Sequence, residues 1–140
     1  MNIIGPSGAG KTTLMNLIAG VVKEGYRSGE IIVGGEGSKD SNYGVAFVEC
    51  FDFHIEEFTV MQNLYFSAML RVGKKMMRDE CLNRCKTIAE MVGIDHVLDV
   101  VVGSGLRKGI SGGQCKLLSI ANELLALPAV LCLDEPTSGL

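Results

Sequence analysis

The sequence predicts an α/β fold with a parallel core sheet, a small antiparallel β part and a helical subdomain. A short apolar stretch, Met1 to Ile4, runs through a glycine-rich turn into a segment of helical period. A continuous apolar run, Ala129 to Leu133, has the length and character of a central parallel strand covered on both faces. Between these segments, residues 60–92 contain two successive stretches of helical period.

The composition indicates a chain that folds, since 47% of its 140 residues are hydrophobic and 21% are charged. Its net charge of -3 argues against binding nucleic acid by electrostatics. The longest apolar run, Leu124 to Leu133, is about half of a membrane span. Five irregularly spaced cysteines favour reduced cytosolic thiols over a disulfide framework. We therefore expect one soluble, intracellular unit, and its 18 glycines suggest sites built from backbone.

In the N-terminal half, Met1 to Ile4 is the first predicted strand, and a helix begins at Lys11. Two β-branched stretches bounded by glycines or polar turns, Ile31 to Val33 and Val45 to Val48, are further predicted strands. The apolar side chains that recur at helical spacing in the first helix are Leu14, Leu17, Ile18 and Val21.

In the C-terminal half, two adjacent helices, Val60 to Arg71 and Met76 to Val92, suggest a helical insert over about residues 60–110. Ser111 opens a further helix, which Pro128 ends. The second helix carries one apolar face, which favours a core stripe over a metal site because two more ligands would be needed. That face consists of Met77, Cys81, Cys85, Ile88 and Val92.

The pattern Gly5-x-x-x-x-Gly10-Lys11-Thr12 matches Walker A and lies between a predicted strand and a helix, which predicts a P-loop NTPase. Its glycines let backbone N–H groups face phosphate oxygens. Lys11 would neutralise the β and γ phosphates of ATP, and the Thr12 hydroxyl would bind Mg²⁺. A turn that binds nothing would not need this Lys-Thr pair. The predicted phosphate-binding residues are Gly5, Ser7, Gly8, Ala9, Gly10, Lys11, Thr12 and Thr13.

Two carboxylates at the end of the last apolar strand complete such a site as Walker B. Asp134 is the predicted magnesium ligand, and Glu135 is the predicted general base that orients the attacking water. Alone, a strand ending in Asp-Glu could equally be a helix N-cap. The loop at residues 5–12 favours the catalytic role, since Lys11 and Mg²⁺ would supply the positive partners that buried carboxylates need.

The segment Ser111-Gly112-Gly113-Gln114 can be a capping box, which explains the serine and the glutamine. It does not explain two glycines in the first turn of a helix, each costing roughly 0.8 to 1 kcal/mol against alanine. Gly112 and Gly113 make sense if a phosphate approaches that helix N-terminus. Because one loop already holds the phosphates of its own ATP, the second anion site suggests an ATP brought by another subunit.

In this order, and with the closing Pro136 to Leu140, the motifs resemble the nucleotide-binding domain of ABC transporters over the whole chain. The resemblance implies a head-to-tail dimer, with ATP between Walker A and B of one domain and the Ser111 loop of the other. It also implies ATP hydrolysis that drives transmembrane domains at the cytoplasmic face of a membrane. Segments similar to the G subfamily, which includes pleiotropic-drug-resistance and pigment or sterol transporters, are residues 14–20, 51–54, 66–68, 102–103 and 133–140.

Cys50 is a first departure from the family, which has at that position a glutamine that contacts magnesium and the lytic water. A thiol is a poor ligand for a hard cation. Substitution by Glu49, a weakened magnesium site and a one-residue shift of the alignment all remain open. A second departure is that Lys116 alone replaces the basic triplet of the G subfamily. If that triplet supports the partner's ATP, then in this chain Lys116 and the helix N-terminus must provide that support by themselves.

A third departure is length, because the family's adenine-stacking aromatic and its switch histidine have no counterpart in the chain. We therefore expect residues 1–140 to be a domain truncated at both ends, and inactive or weakly active alone. His54 and His96 both precede Asp134, so neither is the switch histidine. His54 is interpreted as loop-structural rather than coupling to a membrane domain, and His96 as lying on an exposed helical turn.

Two other functions stay open at this point. One is a soluble ABC ATPase of translation or DNA repair, which the net charge and the G-like segments disfavour. The other is a chain that binds nucleotide without turnover, or a fragment that does not fold alone. Apolar spans of about 20 residues elsewhere in the same polypeptide would identify the transporter.

Overall fold

The computed structural model describes residues 1–21, 25, 28–29, 31–33, 36–37, 44–72, 76–104 and 108–137. Its α-helices are α1 (Lys11–Ile18), α2 (Val60–Val72), α3 (Arg78–Val92) and α4 (Gly112–Leu124), and a 3-10 turn covers Asp95–Val97. Its strands are β1 (Ile32–Val33), β2 (Glu36–Gly37), β3 (Val45–Val48) and β4 (Val130–Leu133). Ser138 to Leu140 of the predicted closing motif lie outside the described residues.

The strands form two small sheets. β3 and β4 pair in parallel, with Val45 opposite Val130 and Val48 opposite Leu133, and β1 and β2 pair antiparallel. Both pairings agree with the predicted α/β fold. The prediction that Ala129 to Leu133 is a central strand covered on both faces is wrong for the part of the chain described here. β4 pairs with β3 alone, which leaves Val130 38% exposed.

The predicted strand at Met1 to Ile4 is also wrong. These residues are extended chain without strand pairing, and Met1 and Ile4 are fully or almost fully exposed. A strand exists only where a neighbouring strand takes up its N–H and C=O groups, and the described chain provides none here. The backbone N–H and C=O groups of this segment are therefore not paired in a sheet of the described chain, and apolar composition alone was not enough to predict a strand.

Helix α1 begins at Lys11 as predicted but ends earlier than its apolar period suggests. Gly20 adopts a left-handed conformation with φ 70°. The N–H of Val21 then donates to the carbonyl of Asn16 at 3.0 Å, and that of Gly20 to Leu17 at 3.2 Å. This is the glycine-terminated helix end that satisfies the last carbonyls. Val21 therefore lies beyond the helix.

Helices α2, α3 and α4 pack around the main apolar core. The predicted interpretation of Cys81 and Cys85 as core residues is confirmed, since both are buried and burial raises the pKa of the Cys85 thiol to about 12. Met77, predicted on the same face, is instead the N-cap of α3 and is 72% exposed. The buried cluster comprises Val60, Leu64, Ala68, Cys81, Cys85, Ile88, Ala89, Ile94, Val102, Leu118, Ala121 and Leu125.

None of the helices in the described ranges combines the length and the apolar character that crossing a bilayer requires.

Candidate functional site

The glycine loop between residues 5 and 10 turns through two left-handed glycines. Gly8 has φ 81° and Gly10 has φ 85°, a region that other L-residues enter only at a cost. A Cβ at either position would meet nothing within 4 Å, so backbone conformation, and not space, requires glycine there. Gly10 is the N-cap of α1 and gives it no side-chain cap. The first-turn N–H groups are thus left for an anion.

Lys11 lies at the start of α1 and bends back over the loop. Its Nζ donates to the carbonyl oxygens of Gly5 and Pro6, both at 2.9 Å. An ammonium has three N–H donors and no acceptor, so two of the three are used by the loop itself. The lysine charge is therefore held at the mouth of the glycine loop, where a phosphate would compete with these carbonyls.

Thr12 and Asp134, the two predicted magnesium ligands, are brought together. The Oγ1 of Thr12 donates to the Oδ2 of Asp134 at 2.9 Å. Asp134 is 5% exposed, and its N–H donates to the carbonyl of Val48 at 3.0 Å, continuing the β3–β4 ladder. A hydroxyl and a carboxylate supply only oxygen donors, the kind that Mg²⁺ prefers. The chemistry of these two residues therefore fits a magnesium ion.

Glu135 follows Asp134 directly and is exposed. It has φ 44°, a left-handed conformation that is uncommon outside glycine. Such a conformation costs on the order of 1–3 kcal/mol and occurs preferentially at functional sites. The strained residue is the one that the sequence predicts as general base.

The Ser111 loop has the predicted capping box. The Ser111 N–H donates to Gln114 Oε1 at 2.8 Å, and the Gln114 N–H donates to Ser111 Oγ at 3.2 Å. Gly112 and Gly113 form the first turn of α4. Among the described residues, the hydrogen bonds of Ser111 are to Gln114 and Cys115 of its own helix end.

Lys116, which the sequence left as a conditional support for a partner's ATP, is buried and paired within its own chain. The residue is 4% exposed. Its Nζ donates to the carbonyls of Glu49 at 3.1 Å and Cys50 at 2.8 Å, and forms an ion pair with Asp52 Oδ1 at 2.8 Å. The ammonium thus makes two hydrogen bonds to carbonyls and one ion pair with a carboxylate. Sequence reasoning missed these contacts because they join segments far apart in the chain.

His54 lies in the loop that follows β3, and its side chain contacts α4. Its Nε2 lies 3.0 Å from the carbonyl oxygen of Cys115, to which it donates, and 3.1 Å from Ser119 Oγ. Ser119 in turn donates to Asp52 Oδ1 at 2.6 Å. Burial lowers the pKa of His54, against the carbonyl of Cys115 and the charge of Asp52, which raise it. These contacts support the loop-structural interpretation. His96, as predicted, is exposed on the 3-10 turn.

A cavity of about 270 Å³ lies beside this loop, between the end of β3, α2 and α4. Phe51 and Phe53 project beside it with 73% and 79% of their surface exposed. Arg71 on α2 and Glu123 on α4 form an ion pair in its wall. The cavity thus combines aromatic surface with a charged pair.

Comparisons with known proteins place these motifs in one family. The profile described as ABC transporter matches residues 1–138. ABC transporter G family member 21 of Arabidopsis thaliana is 40% identical over 139 residues, which cover 99% of this chain and 20% of the relative. Member 25 is 39% identical over 141 residues, covering 100% and 21%. Member 36 is 39% identical over 140 residues, covering 99% and 10%.

The chain spans between 10% and 21% of the length of these relatives. The matches confirm the resemblance to the G subfamily that the sequence motifs indicate.

Proposed function

The chain belongs to the ABC transporter family, and we propose that it is a nucleotide-binding domain of the G subfamily that binds MgATP. In the complete protein it hydrolyses ATP to power transport across a membrane. The observation that carries the proposal is the hydrogen bond between Thr12 and Asp134, because it joins the hydroxyl of the glycine loop to the carboxylate at the end of β4. Neither motif alone would define a magnesium site.

We assign the phosphates to the loop backbone of residues 5–13 and to Lys11. Thr12 and Asp134 would hold Mg²⁺, which supplies charge neutralisation at the phosphates. Glu135 would accept a proton from the attacking water or orient it. The negative charge of the phosphates would draw the ammonium of Lys11 away from the carbonyls of Gly5 and Pro6.

The second nucleotide contact would come from Ser111, Gly112 and Gly113 on a partner domain in a head-to-tail dimer. Two features support this assignment: the exposure of Ser111 and Gly112, and the two glycines, Gly112 and Gly113, at the start of α4. The N–H groups of a helix N-terminus favour an anion.

We place the transmembrane domains of the transporter against the cavity beside Phe51 and Phe53, and the domain at the cytoplasmic face of the membrane. We also propose that residues 1–140 form one partial domain in which α2 and α3 belong to the helical insert of about residues 60–110. Exposed aromatic side chains at a partly polar cavity are typical of a protein–protein contact. The names of the relatives favour a transporter over a soluble ABC ATPase.

Nucleotide binding tests the proposal directly. In the full-length protein, Lys11→Ala should weaken MgATP binding by about tenfold or more, since a charge-assisted contact to phosphate is lost. Lys86→Ala, at an exposed lysine of α3, is the matched control and should bind as the wild type does. Equal binding by Lys11→Ala and the wild type would contradict the assignment of the phosphate site.

A further inference from the structure

Helix α4 contains a buried lysine, Lys116. Lysine is among the residues least often buried, yet Lys116 is 4% exposed. Its acceptors are the carbonyls of Glu49 and Cys50 and the carboxylate of Asp52. All three belong to the loop that follows β3. Lys116 therefore directs both of its hydrogen bonds and its ion pair to a single segment of the chain.

This loop is fixed at its other end to the proposed magnesium site. Glu49 directly follows Val48, the last residue of β3, which pairs with Leu133. The carbonyl of Val48 accepts from the N–H of Asp134. Backbone hydrogen bonds thus connect the segment that holds Lys116 to the carboxylate that faces Thr12.

Lys116 is also linked, through its own helix, to the other proposed nucleotide contact. It lies in the second turn of α4, whose N-cap is Ser111, and the N–H of Cys115 donates to the carbonyl of Ser111 at 2.9 Å. Ser119, one turn further along α4, donates to Asp52 at 2.6 Å. Asp52 therefore contacts α4 twice, through the hydrogen bond from Ser119 and the ion pair with Lys116, and the two contacts restrict the distance and the rotation of α4 relative to the loop.

Stability alone does not explain this arrangement. Apolar residues of similar volume commonly replace a buried ion pair without loss of stability, because taking two charges out of water offsets their attraction. Two directional hydrogen bonds to defined carbonyls, with an ion pair beside them, do what an apolar contact cannot, since they specify one orientation of the two segments.

We propose that Lys116 is a positioning residue that ties the Ser111 loop to the Asp134 edge of the sheet, so that the contacts to two nucleotides move as one body. It acts through the backbone of Cys50 and the side chain of Asp52, and touches no nucleotide. The inference rests on the proposed function, and it gives Lys116 a role other than support of the partner's ATP.

Steady-state kinetics of the full-length protein test the proposal. Lys116→Met and Asp52→Asn should each lower kcat by about tenfold, the size of a typical long-range coupling, while KM for MgATP changes by less than about twofold. The double variant should be no slower than Lys116→Met, because both changes remove one link. Lys116→Arg keeps a cation and should retain more activity than Lys116→Met. Lys86→Met, the same change at an exposed lysine, should match the wild type.

A lower thermal midpoint with unchanged kcat in Lys116→Met would overturn the proposal, as would additive losses in the double variant. Amide hydrogen exchange tests the link between the two segments without relying on activity. In Lys116→Met, amides of residues 49–52 and 111–114 should exchange faster together, whereas acceleration confined to one segment overturns the link. Failure of the wild type to bind or hydrolyse ATP would refute the proposed function instead, and exchange would still test the link.

Discussion

The Oγ1 of Thr12 lies 2.9 Å from the Oδ2 of Asp134, although the two residues are 122 positions apart in the chain. One belongs to the first turn of α1 and the other directly follows β4. The parallel pairing of β4 with β3, and the contact of α1 with β3, bring the two ends of the chain together. A nearly buried carboxylate and a hydroxyl are thereby held where oxygen ligands of a magnesium ion can converge.

Replacing the hydroxyl tests this relationship. We expect Thr12→Val to lower the magnesium-dependent part of ATP affinity by about tenfold, and to destabilise the fold by about 1–3 kcal/mol because Asp134 loses a partner. Thr12→Ser keeps the hydroxyl and is the control. Nucleotide binding with and without a chelator, together with thermal unfolding, measures both effects. A Thr12→Val protein with normal magnesium dependence would show that Thr12 is not a ligand.

Glu135 is expected to act in turnover and not in binding. Its exposed position and left-handed backbone distinguish it from Asp134, the buried carboxylate beside it. Glu135→Gln should keep MgATP affinity within about twofold but lower kcat by about 10² or more, the usual contribution of general base catalysis. Glu57→Gln, at another exposed glutamate, is the control. Single-turnover kinetics measure the chemical step, and comparable rates in the two variants would remove Glu135 from the mechanism.

Local patterns were enough to predict α2, β3 and the Ser111 capping box. Their signals lie within a few residues, because helical period, β-branching and a Ser-x-x-Gln spacing each act over one or two turns. The glycine loop was predictable for the same reason. Its left-handed glycines at positions 8 and 10 are a requirement of the backbone and not of distant packing.

The sequence failed where the structure depends on partners far along the chain. Met1 to Ile4 has the composition of a strand but no pairing partner in the described chain. Lys116 resembles a surface cation of a helix, and only the position of the loop after β3 makes it buried. For His54 the loop-structural interpretation holds, but its partners Cys115 and Ser119, more than 60 positions away, could not be named from the sequence. Neither period nor spacing carries such information.

Cys50→Gln should raise ATP turnover in the full-length protein. In the structure the carbonyl of Cys50 accepts from Lys116, and a glutamine would keep this backbone contact while adding the side-chain oxygen that the family has there. A carboxamide oxygen suits a hard cation better than a thiol. Cys50→Ser is the control for loss of the thiol alone. If kcat is unchanged in Cys50→Gln, the position is already compensated, with Glu49 as the first residue to replace.

His54 should make the domain less stable in mild acid. Burial lowers the pKa of His54 below its ordinary value of 6.5, while nearby Asp52 opposes and Lys116 assists this shift. At a pH between the pKa of His54 in the folded chain and 6.5, His54 binds a proton in the unfolded chain but not in the folded chain. The free energy of unfolding therefore falls as the pH drops below 6.5, and the contribution is absent above that range.

Urea unfolding between about pH 7.5 and pH 5.5 measures this dependence. His54→Gln removes the titrating group and leaves an amide N–H that can donate to the carbonyl of Cys115, so its stability should vary less with pH than that of the wild type. His96→Gln, at the exposed histidine, should keep the slope of the wild type. Equal slopes for His54→Gln and the wild type would mean that other groups govern the acid sensitivity.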